Sequence, residues 1–485
     1  MSKHPENNFN DSPSYFYEEE QRIAIESVTV KTPPRALQQG NKVTDRDRRS
    51  WWYILRKSQA ELYKTDNGEL VMFSTFTLHC VEDKFPEVFA ETVPEELLAS
   101  MTVQKLCFAK NLFLVTTPAP KIAVNIANYL WENFKNVLEI LYLRPSYSIN
   151  EWSLRFRQNG PSVFDSSKWY LKRLGLDGIR GMSGASPTIA IIDQGFYSKV
   201  ELRGKSFINA KVSGFYSPNC VFVPGIASIP EHHHGKAVAD LVREACPQSE
   251  LVLIALDSEL ALGQPHTLAL AIAYASTFSC HVDHEERSGV DIIICAQQDK
   301  LSLYGPVKYL VSLAVDYALV AGRKGVGTPV FWSGEDDINT GIISSHQGIA
   351  AVGAVGYNAK LYYDQCTSPP DFLAPGKNIN LGSATIKGTS FAAPLAAGLA
   401  AGILSNYPDL NHLELRAILR LTCVKLKGYD YVNDRSSQIG YGLLNYPAAL
   451  ELAGQYDRKE RPYVDRVNAM VCQIQTDLNA NCQPT

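Results

Sequence analysis

The chain has 485 residues, 45% hydrophobic and 20% charged, with a formal net charge of -4. This is an ordinary globular composition, long enough for two domains, and its charge gives no reason to expect a nucleic-acid partner. No apolar run reaches membrane-spanning length and no export-signal core follows Met1, so the expectation is a cytoplasmic protein with no membrane partner.

In chain order, residues 1–50 are polar, rich in Glu, Asn, Gln and Arg, and are predicted to be partly flexible. Residues 51–150 read as a small α+β domain, with strands at 70–80 and 103–116, an amphipathic helix at 121–134 and a strand at 137–143. A linker at 151–165 follows. From 165 to 455 short apolar strands alternate with helices. Strands are predicted at 188–192, 250–256, 291–295, 329–332 and 348–355, and helices at 234–245, 266–277, 305–321, 390–405 and 412–423. That alternation predicts an α/β domain built on a parallel sheet with both faces covered. Residues 456–485 read as a charged C-terminal tail. Ten cysteines without any Cys-x-x-Cys pair read as reduced, packed thiols rather than a metal or disulfide framework.

Three motifs carry chemistry. Gly388-Thr389-Ser390-Phe391-Ala392-Ala393-Pro394 sets a hydroxyl at the start of a helix made almost entirely of small residues. The first N–H groups of a helix have no intrahelical acceptor and point toward developing negative charge. An N-cap serine would explain Ser390 alone, but not the run around it. Upstream, Asp193-Gln194-Gly195 ends an apolar strand, and ligands of parallel sheets bind beyond such carboxyl ends. Taken alone, Asp193 reads as a strand-end turn residue. His234 opens a helix as the last of three histidines, with His232 and His233 read as solvated neighbours. Consecutive histidines at a helix start do not face one point, so no metal site is predicted.

The order Asp193, His234, Ser390 is that of subtilisin, not of chymotrypsin or the α/β-hydrolases. With these motifs, residues 165–450 resemble the subtilisin-like serine proteases (subtilases). The serine motif is intact; the aspartate and histidine motifs each depart at one position, Gln194 and Lys236. The resemblance implies that His234 takes the Ser390 proton, that Asp193 orients the imidazole, and that the substrate is a peptide or protein. It also implies that 51–150 is a propeptide-like domain and a possible intramolecular inhibitor. Subtilases commonly hold a structural calcium, but no acidic loop here names ligands, so no cofactor is predicted.

Two departures bear on activity. Glu335 occupies the position where the family has an asparagine that donates to the oxyanion. Gln297 and Gln298 stand where a Ser-Leu-Gly strand borders the primary pocket, and Phe331 and Trp332 replace small residues ahead of Ser333 and Gly334 on the opposite wall. Core packing is an equally good account of the two aromatics. The reading that follows is an intracellular endopeptidase of narrow specificity. Its competitors are a pseudoprotease that binds a peptide without cutting it and a peptide ligase or cyclase.

Overall fold

The computed structural model describes residues 9–18, 21–27, 60–65, 68–149, 168–177, 185–193, 196, 210–216, 222–224, 234–256, 265–277, 279–282, 285–296, 306–334, 346–362, 369–381 and 384–480. The chain divides into two compact units, residues 1–155 with 259–266, and residues 156–258 with 267–485. The predicted linker at 151–165 lies outside the described residues.

In the first unit, β1 (Tyr15–Glu18) and β2 (Gln21–Ala24) form an antiparallel hairpin. A six-stranded antiparallel sheet follows, made of β3 (Glu26–Ser27), β4 (Glu61–Thr65), β5 (Gly68–Cys80), β6 (Thr102–Lys105), β7 (Leu112–Thr116) and β8 (Ile140–Ile149). The helices are α1 (Phe85–Thr92), α2 (Glu95–Leu98) and α3 (Pro120–Phe134). Ile122, Ile126 and Leu130, spaced at helical intervals on α3, are buried with Phe76, Leu78 and Val115 of the sheet.

Three expectations change here. The predicted strand at 103–116 is a hairpin, broken before Asn111, which adopts φ 53 and donates from Nδ2 to the Val81 carbonyl at 2.8 Å. Asparagine tolerates that left-handed turn better than most residues. The strand expected at 137–143 begins at Ile140 instead, after Glu139 at φ 47. Finally, residues 9–27 are not merely a polar arm. Phe9, Phe16 and Ile25 are buried, and Asn125 and Asn128 of α3 donate to the Phe9 and Tyr15 carbonyls at 3.1 and 2.8 Å.

The second unit is built on an eight-stranded sheet of order β11-β10-β12-β9-β15-β16-β17-β18, with neighbours parallel except β11. Its strands are β9 (Thr188–Asp193), β10 (Ala210–Tyr216), β11 (Phe222–Pro224), β12 (Glu250–Leu256), β15 (Ile292–Cys295), β16 (Val330–Ser333), β17 (Ile349–Val355) and β18 (Phe372–Pro375). Two hairpins stand apart, β13 (Ser279–Val282) with β14 (Glu285–Ser288), and β19 (Lys377–Leu381) with β20 (Ala384–Lys387). Every residue of β9 and β12 is buried, as a central strand covered on both faces requires.

The helices are α4 (Trp169–Leu174), α5 (His234–Ala245), α6 (Pro265–Thr277), α7 (Pro306–Gly325), α8 (Thr389–Asn406), α9 (His412–Thr422), α10 (Tyr446–Asp457) and α11 (Arg461–Ala480). Regular geometry in α7 stops before Gly322, where ψ turns to 155°, so the predicted end at 321 holds. The charged tail is corrected to a helix for most of its length. Val467, Met470 and Ile474 of α11 join the core at helical spacing, so its charges mark only the solvent face.

A buried ion network closes the sheet's far edge. Asp371, just before β18, accepts from Arg416 Nε at 2.6 Å and Arg420 Nη2 at 2.9 Å, and all three are buried. Burial alone would raise the Asp371 carboxyl, but the two guanidiniums outweigh it and hold the group below the ordinary carboxylate range. Asp371→Asn strands two buried cations. It is expected to cost about 3–5 kcal/mol, read as a lower midpoint of thermal unfolding. Because the folded value is depressed, the stabilisation is complete above the unfolded carboxyl value near about 4 and is lost as pH falls through the folded value. The wild-type advantage over the variant is therefore expected to shrink on acidification, and an advantage that holds constant down to pH 2 contradicts the account.

Candidate active site

Asp193 is the last residue of β9, paired with Ala255 of β12 and fully buried. A carboxylate in that position needs a charged or hydrogen-bonding partner. It has one at the start of α5, where His234 Nδ1 lies 2.8 Å from Asp193 Oδ2 and the two side chains are 8% and 0% exposed. An ionised carboxylate only accepts, so Nδ1 carries the proton and Nε2 is the basic nitrogen. The neighbouring strand feels the same charge. The Cys295 thiol, next to this pair on β15, is raised first by burial and then by Asp193, which keeps it protonated.

Ser390 is the second residue of α8 and is 7% exposed. Gly388, which caps the helix, adopts φ 143, a conformation that side chains rarely take, and donates to the Gly376 carbonyl at 2.7 Å. This sharp entry sets the first turn of α8 beside the histidine, and the ring of Phe391 lies 5.4 Å from that of His234. The rest of α8 fixes the placement. The helix runs across β15 to β18 and against α5. At Gly398 a Cβ atom would come within 2.5 Å of the Ala245 Cβ, closer than real atoms approach. Pro394 has no N–H, so the helix supplies no i+4 donor to the Ser390 carbonyl.

Asp193 at a strand end and His234 at a helix start thus share a hydrogen bond, and Ser390 lies in the first turn of α8 next to Phe391, whose ring neighbours the imidazole. Lys236, two residues along α5, does not act as a bare charge beside the imidazole, because its Nζ lies 2.6 Å from Asp240 Oδ2. On the candidate pocket wall, Ser333 is 3% exposed and the Gly334 N–H donates to the Val352 carbonyl at 2.8 Å. Phe331 packs in the main core with Ala350 and Phe372, so core packing accounts for it. Trp332 is also about 1% exposed, with its indole Nε1 buried and without a hydrogen-bond partner among the described residues. Gln194, Gly195, His232, His233, Gln297, Gln298 and Glu335 lie outside the described residues. Among the described residues no group of three His, Cys, Asp or Glu side chains is placed to hold a metal ion. Phe391 and Gly376 were not legible as site residues, because neither carries chemistry and only their positions matter.

Residues 332–442 match the Subtilase family, a stretch that includes Ser390 and begins after Asp193 and His234. The fold is subtilisin-like. The chain is 27% identical over 281 residues to subtilisin DY from Bacillus licheniformis, covering 56% of this chain and 93% of that protein. It is 28% identical over 215 residues to the calcium-dependent protease of Trichormus variabilis, covering 34% of this chain and 32% of that one, so it spans about a third of that relative. The crystal structure of the epidermin leader peptide processing serine protease (EpiP) from Staphylococcus aureus superposes with a TM-score of 0.55 at 14% identity, over 79% of this chain and 98% of that one. The α/β parallel-sheet class expected from the motifs is thus the subtilisin-like fold.

The close contact at Gly398 gives a test of how the subtilisin-like unit positions its serine. Gly398→Ala is expected to push α8 from α5, lower stability by about 1–3 kcal/mol, and slow fluorophosphonate labelling of Ser390. Unchanged labelling at unchanged stability contradicts the role given to this contact.

Proposed function

We propose that the chain is a serine endopeptidase of narrow specificity that matures a dedicated precursor peptide or protein inside the cell. The observation that carries this reading is the 2.8 Å Asp193–His234 pair beside the first turn of α8, where Ser390 sits. A serine hydroxyl is a weak nucleophile at neutral pH and needs an adjacent base. In this mechanism His234 Nε2 takes the Ser390 proton as Oγ attacks the scissile carbonyl, and returns it to the leaving amine. Asp193 holds the Nδ1–H tautomer and stabilises the imidazolium. Water then attacks the acyl-enzyme with His234 again as the base. The first-turn N–H groups of α8 face the developing oxyanion.

Precursor processing is supported by the departures around the pocket and by the name of the EpiP neighbour, a leader-peptide processing protease. The first unit is proposed to serve as a propeptide-like domain that restrains the site. Fluorophosphonate is expected to label the wild-type chain and not Ser390→Ala; labelling that persists in the variant sinks the nucleophile assignment.

Glu335 favours a second reading, a pseudoprotease, because an ionised carboxylate does not donate to an oxyanion and repels it. Removal of the side-chain donor at this position costs subtilisin about 10²–10³-fold in turnover. Glu335→Asn is accordingly expected to raise kcat on a cleaved peptide by about tenfold or more. A fall in kcat would assign the glutamate a function of its own. A wild-type chain and a Glu335→Asn variant that both fail to label would favour the pseudoprotease.

A further inference from the structure

A surface cavity of about 550 Å³ opens on the second unit, and four cations line it, Arg173, Lys360, Lys425 and Lys427, with no acidic side chain in its wall among the described residues. The chain as a whole is acidic, so this is not a sample of its composition. The cations come from three separate segments: the last turn of α4, the turn after β17, and the loop after α9. We propose that this cavity is a docking site for an acidic peptide segment, one that carries carboxylates on either side of an apolar residue.

Lys425 is structural. Its Nζ donates to the Tyr441 carbonyl at 3.1 Å, lies 3.7 Å from Asp434 Oδ1 and sits over the Tyr431 ring at 4.9 Å. Arg173, Lys360 and Lys427 are exposed, and among the described residues none has an ion-pair partner. A solvated surface cation needs no explanation by itself, and the dipole at the end of α4 accounts for Arg173. It does not account for Lys360, which follows no helix. That lysine is set in place by its own turn, in which the Gly356 N–H donates to the Lys360 carbonyl at 3.0 Å and Asn358 Oδ1 accepts from the Lys360 N–H at 3.2 Å. Ala359, between Asn358 and Lys360, adopts φ 58, a left-handed conformation that alanine rarely takes.

The choice of ligand follows from the rest of the wall. Leu361 and Leu426 also line the cavity, and Leu426 is only 9% exposed. A free oxoanion would use one or two cations and no apolar surface. A peptide segment spans the spread of charges, directs carboxylates to the three cations and lays an apolar side chain against the leucines. The long-range part of the attraction is screened by salt, with a Debye length of about 10 Å at 0.1 M.

The test uses the full chain carrying Ser390→Ala, so that no peptide is consumed. A fluorescein-labelled Glu-Glu-Leu-Glu-Glu-Leu peptide is titrated by anisotropy against its Gln-Gln-Leu-Gln-Gln-Leu counterpart. The acidic peptide is expected to bind and the neutral one not. Lys360→Glu with Lys427→Glu is expected to weaken binding at least tenfold, and the single variants Lys360→Ala and Arg173→Ala severalfold, with thermal midpoints unchanged. Equal binding of the two peptides, or binding that survives charge reversal, overturns the proposal. Inorganic phosphate that displaces the peptide far more strongly than sodium chloride at the same ionic strength also overturns it, in favour of a free-oxoanion site. Acidic-peptide binding by a wild-type chain that takes no fluorophosphonate label supports the docking site and removes only the catalytic reading.

Discussion

The close approach of α8 to α5 and to the sheet is the constraint on which the site depends. Seventeen of the eighteen residues of α8 are buried, so the helix has no solvent face and behaves as a rod through the core. Small side chains are what permit this. With Gly398 against Ala245 Cβ, the two helices meet at nearly backbone distance, and nearer their N-termini the Phe391 ring lies 5.4 Å from that of His234. His234 begins one helix and Ser390 lies in the first turn of the other, so packing along their lengths fixes where these two residues sit.

The same molecule handles buried charge in two ways, and the contrast clarifies both. Asp193 and Asp371 are both removed from water, and each is held by cationic or N–H partners at hydrogen-bond distance. At Asp371 the partners are permanent cations, which suits a structural clamp between β18 and α9. At Asp193 the partner is an imidazole, which offers one nitrogen to the carboxylate and keeps a second one. Arg173, Lys360 and Lys427 are the opposite case. They are exposed and line a cavity whose described residues include no acid.

Much of the parallel domain was legible because its central strands are buried on both faces. β9 and β12 read as unbroken apolar runs, and α5 and α6 begin within a residue of their expected positions. What was missed lacks such runs. β10 is interrupted by lysine, serine and glycine, β18 is four residues ending in proline, and the 103–116 segment hid a turn inside an apolar stretch. α11 was masked by its composition, since its core residues Val467, Met470 and Ile474, with Tyr463, Val464, Val471 and Leu478 packed beside them, are interspersed with exposed polar residues.

At the site, the sequence by itself determined which groups are present and in what order. Asp193 ends an apolar strand, His234 opens one helix and Ser390 another, and local patterns suffice for each because strand ends and helix starts are local events. Only the tertiary structure decided that Asp193 and His234, forty-one residues apart, share a hydrogen bond, and that Phe391 brings α8 to the same imidazole. It also decided that Phe331 and Trp332 pack inside, and that three separate segments gather cations around one cavity. These are distances between residues remote in the chain. They are set by how closely Gly398 lets two helices approach and by the register of the strands beneath them, and neither is written in any single stretch of sequence.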